Sequence, residues 1–154
     1  MGRYPKPLFM PFSVLSNDNL AKQLVFNLRL PRLLTAALLG MPLSAAGGVM
    51  QMLFRNPLVE PGFLGVSQGA GFGAALCILL LGTSPLLIEI SAALFAVLGL
   101  VLSYFIARRI RFGGWLLRLV LSGIAISALF SSALGILKYM ADPTSKLPEI
   151  VFWL

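Results

Sequence analysis

Four stretches of this chain run for the length of a bilayer core almost without charge, and no other feature limits the fold so sharply. They cover about residues 33–54, 63–81, 86–107 and 116–139; the first two hold no charged residue, and the third has Glu89 near its start. A helix needs about 20 apolar residues to cross the hydrocarbon core. A barrel strand needs only about 9–11, with alternating polarity, so these are helices. The turn Gly82-Thr-Ser-Pro85 is too short for anything but a hairpin between two spans, and Asp142-Pro143 closes the last. Composition leaves no soluble alternative. Charged residues are 11% against a hydrophobic fraction of 58%, where a soluble domain carries roughly 25% charge. The fold class expected is all-α, a polytopic helical membrane protein with about four transmembrane helices.

Several kinds of chemistry are excluded. The chain has no histidine and one cysteine, Cys77, inside an apolar run, so a resident zinc, haem or copper site is not expected. No Gly-x-x-x-x-Gly-Lys-[Ser/Thr] loop is present, so ATP hydrolysis is not expected of this chain. Asp18, Glu60, Glu89, Asp142 and Glu149 fall near span boundaries or in polar segments and pair with neither a second carboxylate nor a histidine. Acid–base and nucleophilic catalysis therefore have no visible machinery, and the chain is not read as an enzyme. The net charge of +7 gathers at the ends of apolar segments, which fits membrane topology better than nucleic-acid binding. Met1–Leu20, interrupted by three prolines and Asp18, is not a secretory signal.

Small residues recur every four positions: Gly40, Ser44, Gly48; Gly65, Gly69, Gly73; and Gly123, Ser127, Ser131, Gly135. On a helix each set shares a face and lets another backbone approach closely. In the fourth stretch the hydroxyls of Ser127 and Ser131 can line a path, or can bond to their own helix. Pro42 should kink the first span by removing a backbone donor.

Two arginines in Arg29-Leu-Pro-Arg32 stand at the mouth of the first span, and Arg55-Asn-Pro-Leu58 with Glu60-Pro-Gly-Phe-Leu-Gly65 forms a proline-rich turn at its far end. Together with Leu119-Val-Leu-Ser-Gly-Ile-Ala-Ile-Ser-Ala-Leu-Phe130, Ala141-Asp-Pro143 and Phe152-Trp-Leu154, in this order and spacing, the stretch resembles the FecCD/cobalamin-type permeases of bacterial ABC importers. That resemblance implies a permease subunit of a binding-protein-dependent importer for iron-siderophore, haem, cobalamin or a similar chelate. Its family has about ten spans in roughly twice this length, so the chain is expected to match the second to fifth. By the same resemblance, residues 1–28 are an outer segment and 29–154 a partial permease domain. Arg29 and Arg32 would dock carboxylates of a periplasmic or extracellular substrate-binding protein, as planar charged forks do well, although snorkelling to lipid headgroups is the plainer alternative.

Gly123, Ser127, Ser131 and Gly135 would contribute to the translocation path, and Gly114, Trp115, Leu116 and Leu117 fall where the family places part of a cytoplasmic gate. Relatives often carry small hydroxylated residues at the gate, a pattern from which Trp115, Leu116 and Leu117 depart. Further partners implied are an ATPase subunit holding ATP and magnesium, a second permease subunit and membrane lipid, in a bacterial or archaeal inner or plasma membrane. A four-helix scaffold and a small exporter are the rival readings. The exporter would want an intramembrane carboxylate, for which only Glu89 comes near.

Arg108, Arg109, Arg111 and Arg118 mark the loop between the third and fourth spans as cytoplasmic. Parity then puts Arg55 on that side, and the tail and residues 141–154 outside. Yet Arg3, Lys6, Lys22, Arg29 and Arg32 should resist translocation. Either the tail is cytoplasmic, or an upstream helix carries it across, as the resemblance implies.

Overall fold

The computed structural model describes residues 18–154 apart from 58 and 83. The basic tail of residues 1–17, with Arg3 and Lys6, therefore lies outside the described residues, as do Leu58 and Thr83 of the two turns. The chain divides into two compact units, 1–48 and 49–154. All regular structure among the described residues is helical, without a strand.

In the first unit Asp18 caps α1 (Asn19–Gln23), its carboxylate accepting the Leu20 amide at 2.9 Å. A wide π turn, Leu24–Arg29, follows, in which the Leu30 amide reaches back five residues to the Val25 carbonyl. Pro31 supplies the reason. It has no amide to give the carbonyl four residues back, and its ring would strike that carbonyl, so the helix widens just before it. The helix continues as α2 (Leu30–Phe54), with Pro42 inside it. The whole run, Asn19–Phe54, is 36 residues long and apolar enough to cross a membrane. At about 1.5 Å per residue, the part from Arg32 to Phe54 covers about 33 Å, close to the ~30 Å core.

The second unit begins with the end of α2. Arg55 takes a left-handed conformation, φ 48°. Its amide bonds to the Met52 carbonyl and that of Asn56 to the Gln51 carbonyl, both at 3.3 Å. This is the Schellman closure, which glycine usually makes. An arginine there costs about 1 kcal/mol that glycine would not.

The second apolar stretch differs from the expected span over 63–81. Its start is a 3-10 turn, Pro61–Leu64, and Gly65 at φ 81° turns the chain into α3, Val66–Leu80. With 15 residues α3 is about 22 Å long. Three helices of spanning length thus stand among the described residues, with α3 a shorter fourth. Gly82, φ 98°, opens the hairpin into α4 (Pro85–Arg109), which is followed by α5 (Trp115–Met140) and α6 (Lys146–Trp153).

Glycines set the distance between α3 and α4. A Cβ on Gly69 would collide with the Phe95 carbonyl oxygen, and one on Gly73 would lie 2.7 Å from that of Ser91. The Ser91 hydroxyl donates to the Gly73 carbonyl at 2.8 Å across the same seam. The core behind it joins Ala74, Ala75, Cys77 and Ile78 of α3 to Ile88 and Ala92 of α4, Leu134 of α5 and Ile150 of α6. Gly40 and Gly48 have open space where a side chain would go.

Candidate functional site

The turn Pro61–Leu64 is wedged between α4 and α5, and small residues on both helices make room for it. Gly123 of α5 sits against the Phe63 carbonyl, where any Cβ would overlap the oxygen. Gly99 of α4 faces the Gly65 carbonyl, with 2.5 Å left for a Cβ, and one added to Gly65 would meet Ile126 at 2.8 Å. Ser103, fully buried, donates its hydroxyl to the Leu64 carbonyl at 2.9 Å. Backbone outside a helix is tolerated at membrane depth only when protein satisfies it, and Ser103 supplies a donor where no water can. Ser103→Ala should cost about 1–2 kcal/mol by removing that bond at nearly constant volume. Thermal unfolding of the detergent-solubilised chain checks this; a midpoint equal to wild type would show that the bond adds nothing.

Above the wedge three rings meet: Phe72 of α3 lies 5.2 Å from Phe95 of α4 and 5.5 Å from Phe130 of α5. They join the three helices alongside the glycine contacts, since a Cβ on Gly73 would meet Phe95 at 2.8 Å and one on Gly99 would meet Phe130 at 3.3 Å.

The stripe Gly123, Ser127, Ser131, Gly135 is not all gathered into one place. Gly123 is buried against the wedge and Ser127 is half-buried, while Ser131 and Gly135 are exposed. Steps of four residues drift round a helix of 3.6 residues per turn, so the stripe leaves the packed side as it ascends. Gly135 has no atom within 4 Å of a Cβ position.

The residues expected at a gate lie at the opposite end of α5. Gly113, φ 72°, and Gly114 lead into the helix at Trp115. Leu116 and Leu117, with Phe54, Asn56, Val59, Phe63 and Val120, line a cavity of about 340 Å³. Trp115 is turned away to meet Tyr104 of α4 edge-on at 5.7 Å. Arg118 closes the loop, donating from Nη1 to the Ile110 carbonyl at 2.8 Å. The end of α2, the end of α4 and the start of α5 therefore share one side, as Phe54 packs with Ala107 and Leu119 around Leu64.

Arg29 closes the π turn, half-buried, and Arg32 is exposed in the first turn of α2. Three residues apart on a continuous helix, they present adjacent guanidiniums. At the far end of α5, the Thr144 amide and hydroxyl hold the Asp142 carboxyl below the usual carboxylate range, against an opposing desolvation and with a lesser contribution from Ser145. A lowered value means that this turn's contribution is present above the unfolded carboxylate pKa and fades as pH falls through the folded one.

Sequence reasoning missed Gly99 and Ser103. Their signal was available, since Gly99, Ser103 and Ala107 repeat the every-four spacing of small residues on α4 and all three are buried.

Comparison with known proteins places this arrangement. The model of the FecCD transport family matches residues 1–154. The chain is 40% identical over 147 residues to the molybdate import system permease protein MolB of Haemophilus influenzae, covering 96% of this chain and 43% of that protein. It is 43% identical over 130 residues to the hemin transport system permease protein HmuU of Yersinia pestis, covering 82% and 39%. With the vitamin B12 import system permease protein BtuC of Vibrio cholerae the identity is 38% over 146 residues, covering 94% and 43%. A solved structure described as an inward-facing conformation of a metal-chelate type ABC transporter superposes with TM-score 0.82 at 38% identity, over 100% of this chain and 46% of that one. The chain thus spans less than half the length of the relatives it matches.

Proposed function

The chain belongs to the FecCD transport family, and from that premise we propose that it forms part of the permease of a binding-protein-dependent importer in a bacterial or archaeal inner or plasma membrane. Its cargo on this reading is an iron chelate, haem, cobalamin or a comparable bulky complex, with molybdate-like oxyanions as the variant. The observation that carries it is the agreement over the whole chain with a metal-chelate type transporter at both fold and sequence level. ATP and magnesium belong to a separate ATPase subunit, and a second permease subunit completes the pore.

In this mechanism the chain supplies surfaces and moving parts. Arg29 and Arg32 receive acidic side chains of the substrate-binding protein at the outer mouth. Ser127, Ser131 and Gly135, the part of the stripe that leaves the packed side, face the path, and Gly123 fixes α5 against the wedge. Residues 114–117 close the inner end, where Leu116 and Leu117 form an apolar plug beside Phe54 and Phe63. Alternating access then amounts to tilting α5 about its clamped lower third. Deleting the gene in its host and measuring uptake of labelled ferric chelate, haem, cobalamin and molybdate tests the reading. One of the four should fall by at least about tenfold, and recover when the gene is restored. Unchanged uptake of all four would sink it.

A further inference from the structure

Away from the wedge, α4 and α5 form a second groove of about 440 Å³, lined wholly by Leu100, Val101, Tyr104, Phe105 and Leu119. Tyr104 and Phe105 precede Arg108 and Arg109 by four residues each, so on α4 both arginines stand directly above the groove. The Arg108 guanidinium lies 5.8 Å from the Tyr104 ring centre, and Trp115 meets that ring edge-on at 5.7 Å. Arg108, Arg109 and Arg111 are exposed, and none has an acidic partner among the described residues. The closest acidic residues in sequence are Glu89 and Asp142, beyond either end of this region. Arg118, next to Leu119, has a buried Nε without an acceptor.

An apolar trough ending in an aromatic pair and then in uncompensated guanidiniums reproduces, in order, the tail, interface and headgroup of an anionic phospholipid. We propose that this groove is a binding site for one such lipid, its acyl chain lying along Val101 and Phe105 and its phosphate held by Arg108 and Arg109. The positive-inside pattern alone would ask only for charge in the loop. It does not ask that two arginines continue the faces of a groove, or that Tyr104 and Trp115 frame its mouth. The site rests on α4 and α5 lying in a membrane and is independent of what is transported. Next to the start of α5, it gives lipid charge a direct hold on the gate segment.

The test uses the full chain with Trp153→Phe, which leaves Trp115 as the remaining tryptophan, reconstituted in vesicles of phosphatidylcholine and phosphatidylglycerol. One lipid at a time carries brominated acyl chains that quench a neighbouring indole. Brominated phosphatidylglycerol should quench Trp115 at a mole fraction at least about fivefold lower than brominated phosphatidylcholine. R108Q/R109Q, at two exposed positions, should erase that preference, and Val101→Phe should bring quenching to the bulk level with both arginines in place. Millimolar inorganic phosphate should change nothing. Equal quenching by both lipids, a preference that survives R108Q/R109Q, or its loss to free phosphate would each overturn the proposal. So would a lack of quenching by either lipid, the result expected if another helix covers the groove.

Discussion

Gly123→Val is expected to cost at least about 3 kcal/mol, the top of the usual range for overpacking, and to lower the unfolding midpoint by many degrees. The obstacle is the Phe63 carbonyl, with the Leu64 Cα beside it at 2.9 Å. Backbone cannot rotate aside as a flexible side chain does, so either α5 or the wedge must shift as a body. Moving them would also open the Ser103–Leu64 hydrogen bond and the Gly99 contact, which is why the loss should exceed that of a single clash. Gly135→Val, on the same helix and in the same stripe, meets open space and should change stability by less than about 0.5 kcal/mol. Detergent-titrated unfolding followed by circular dichroism separates the two. Equal midpoints for both variants would show that the clamp at Gly123 is not what holds the turn.

Reversing Arg29 and Arg32 to glutamate should weaken capture of the substrate-binding protein by about 1–3 kcal/mol in total, or roughly 5- to 150-fold in Kd. On the proposed docking the pairs would be charge-assisted yet only partly desolvated, since Arg32 is exposed and Arg29 half-buried. The loss should therefore be greatest at low ionic strength and shrink as the Debye length falls. Insertion and helicity should not change. Affinity measured on membranes at two salt concentrations reads the effect, and lysines placed on the partner's acidic positions should restore part of it. An affinity unaltered at either salt would leave the two arginines as interfacial anchors.

Helices were legible because each apolar run is longer than any strand needs, and close approach was legible in the four-residue spacing of Gly65, Gly69 and Gly73. The same spacing misled in part. It grouped Gly123 with Ser131 and Gly135, whereas one is a packing contact and the others are exposed. Spacing says which residues share a face, not how far along the helix a neighbour reaches. Nor did the apolar run over 63–81 disclose its break at Gly65, because hydropathy is indifferent to φ and Phe63 and Leu64 are as apolar in a turn as in a helix. The π turn was hidden for a related reason. Pro31 announces a disturbance but not that it falls on the residues before it. Arg29 and Arg32 stand out in the sequence by motif, whereas the groove beside Tyr104 needs geometry, since its walls come from two helices.

The clamp around Pro61–Leu64 also bears on how the protein is made. Phe63 leaves the ribosome 60 residues before Gly123, and Leu64 well before Ser103. Until those residues arrive, the turn has neither the hydroxyl nor the glycine surfaces that let its backbone rest among helices, and hydrocarbon offers no replacement. Helices long enough to cross can be delivered to the bilayer one by one, but this segment cannot be finished in the order of synthesis. On this order it waits at the surface or in the insertion machinery and is drawn in when α5 docks, which makes its placement later than that of the helices on either side of it.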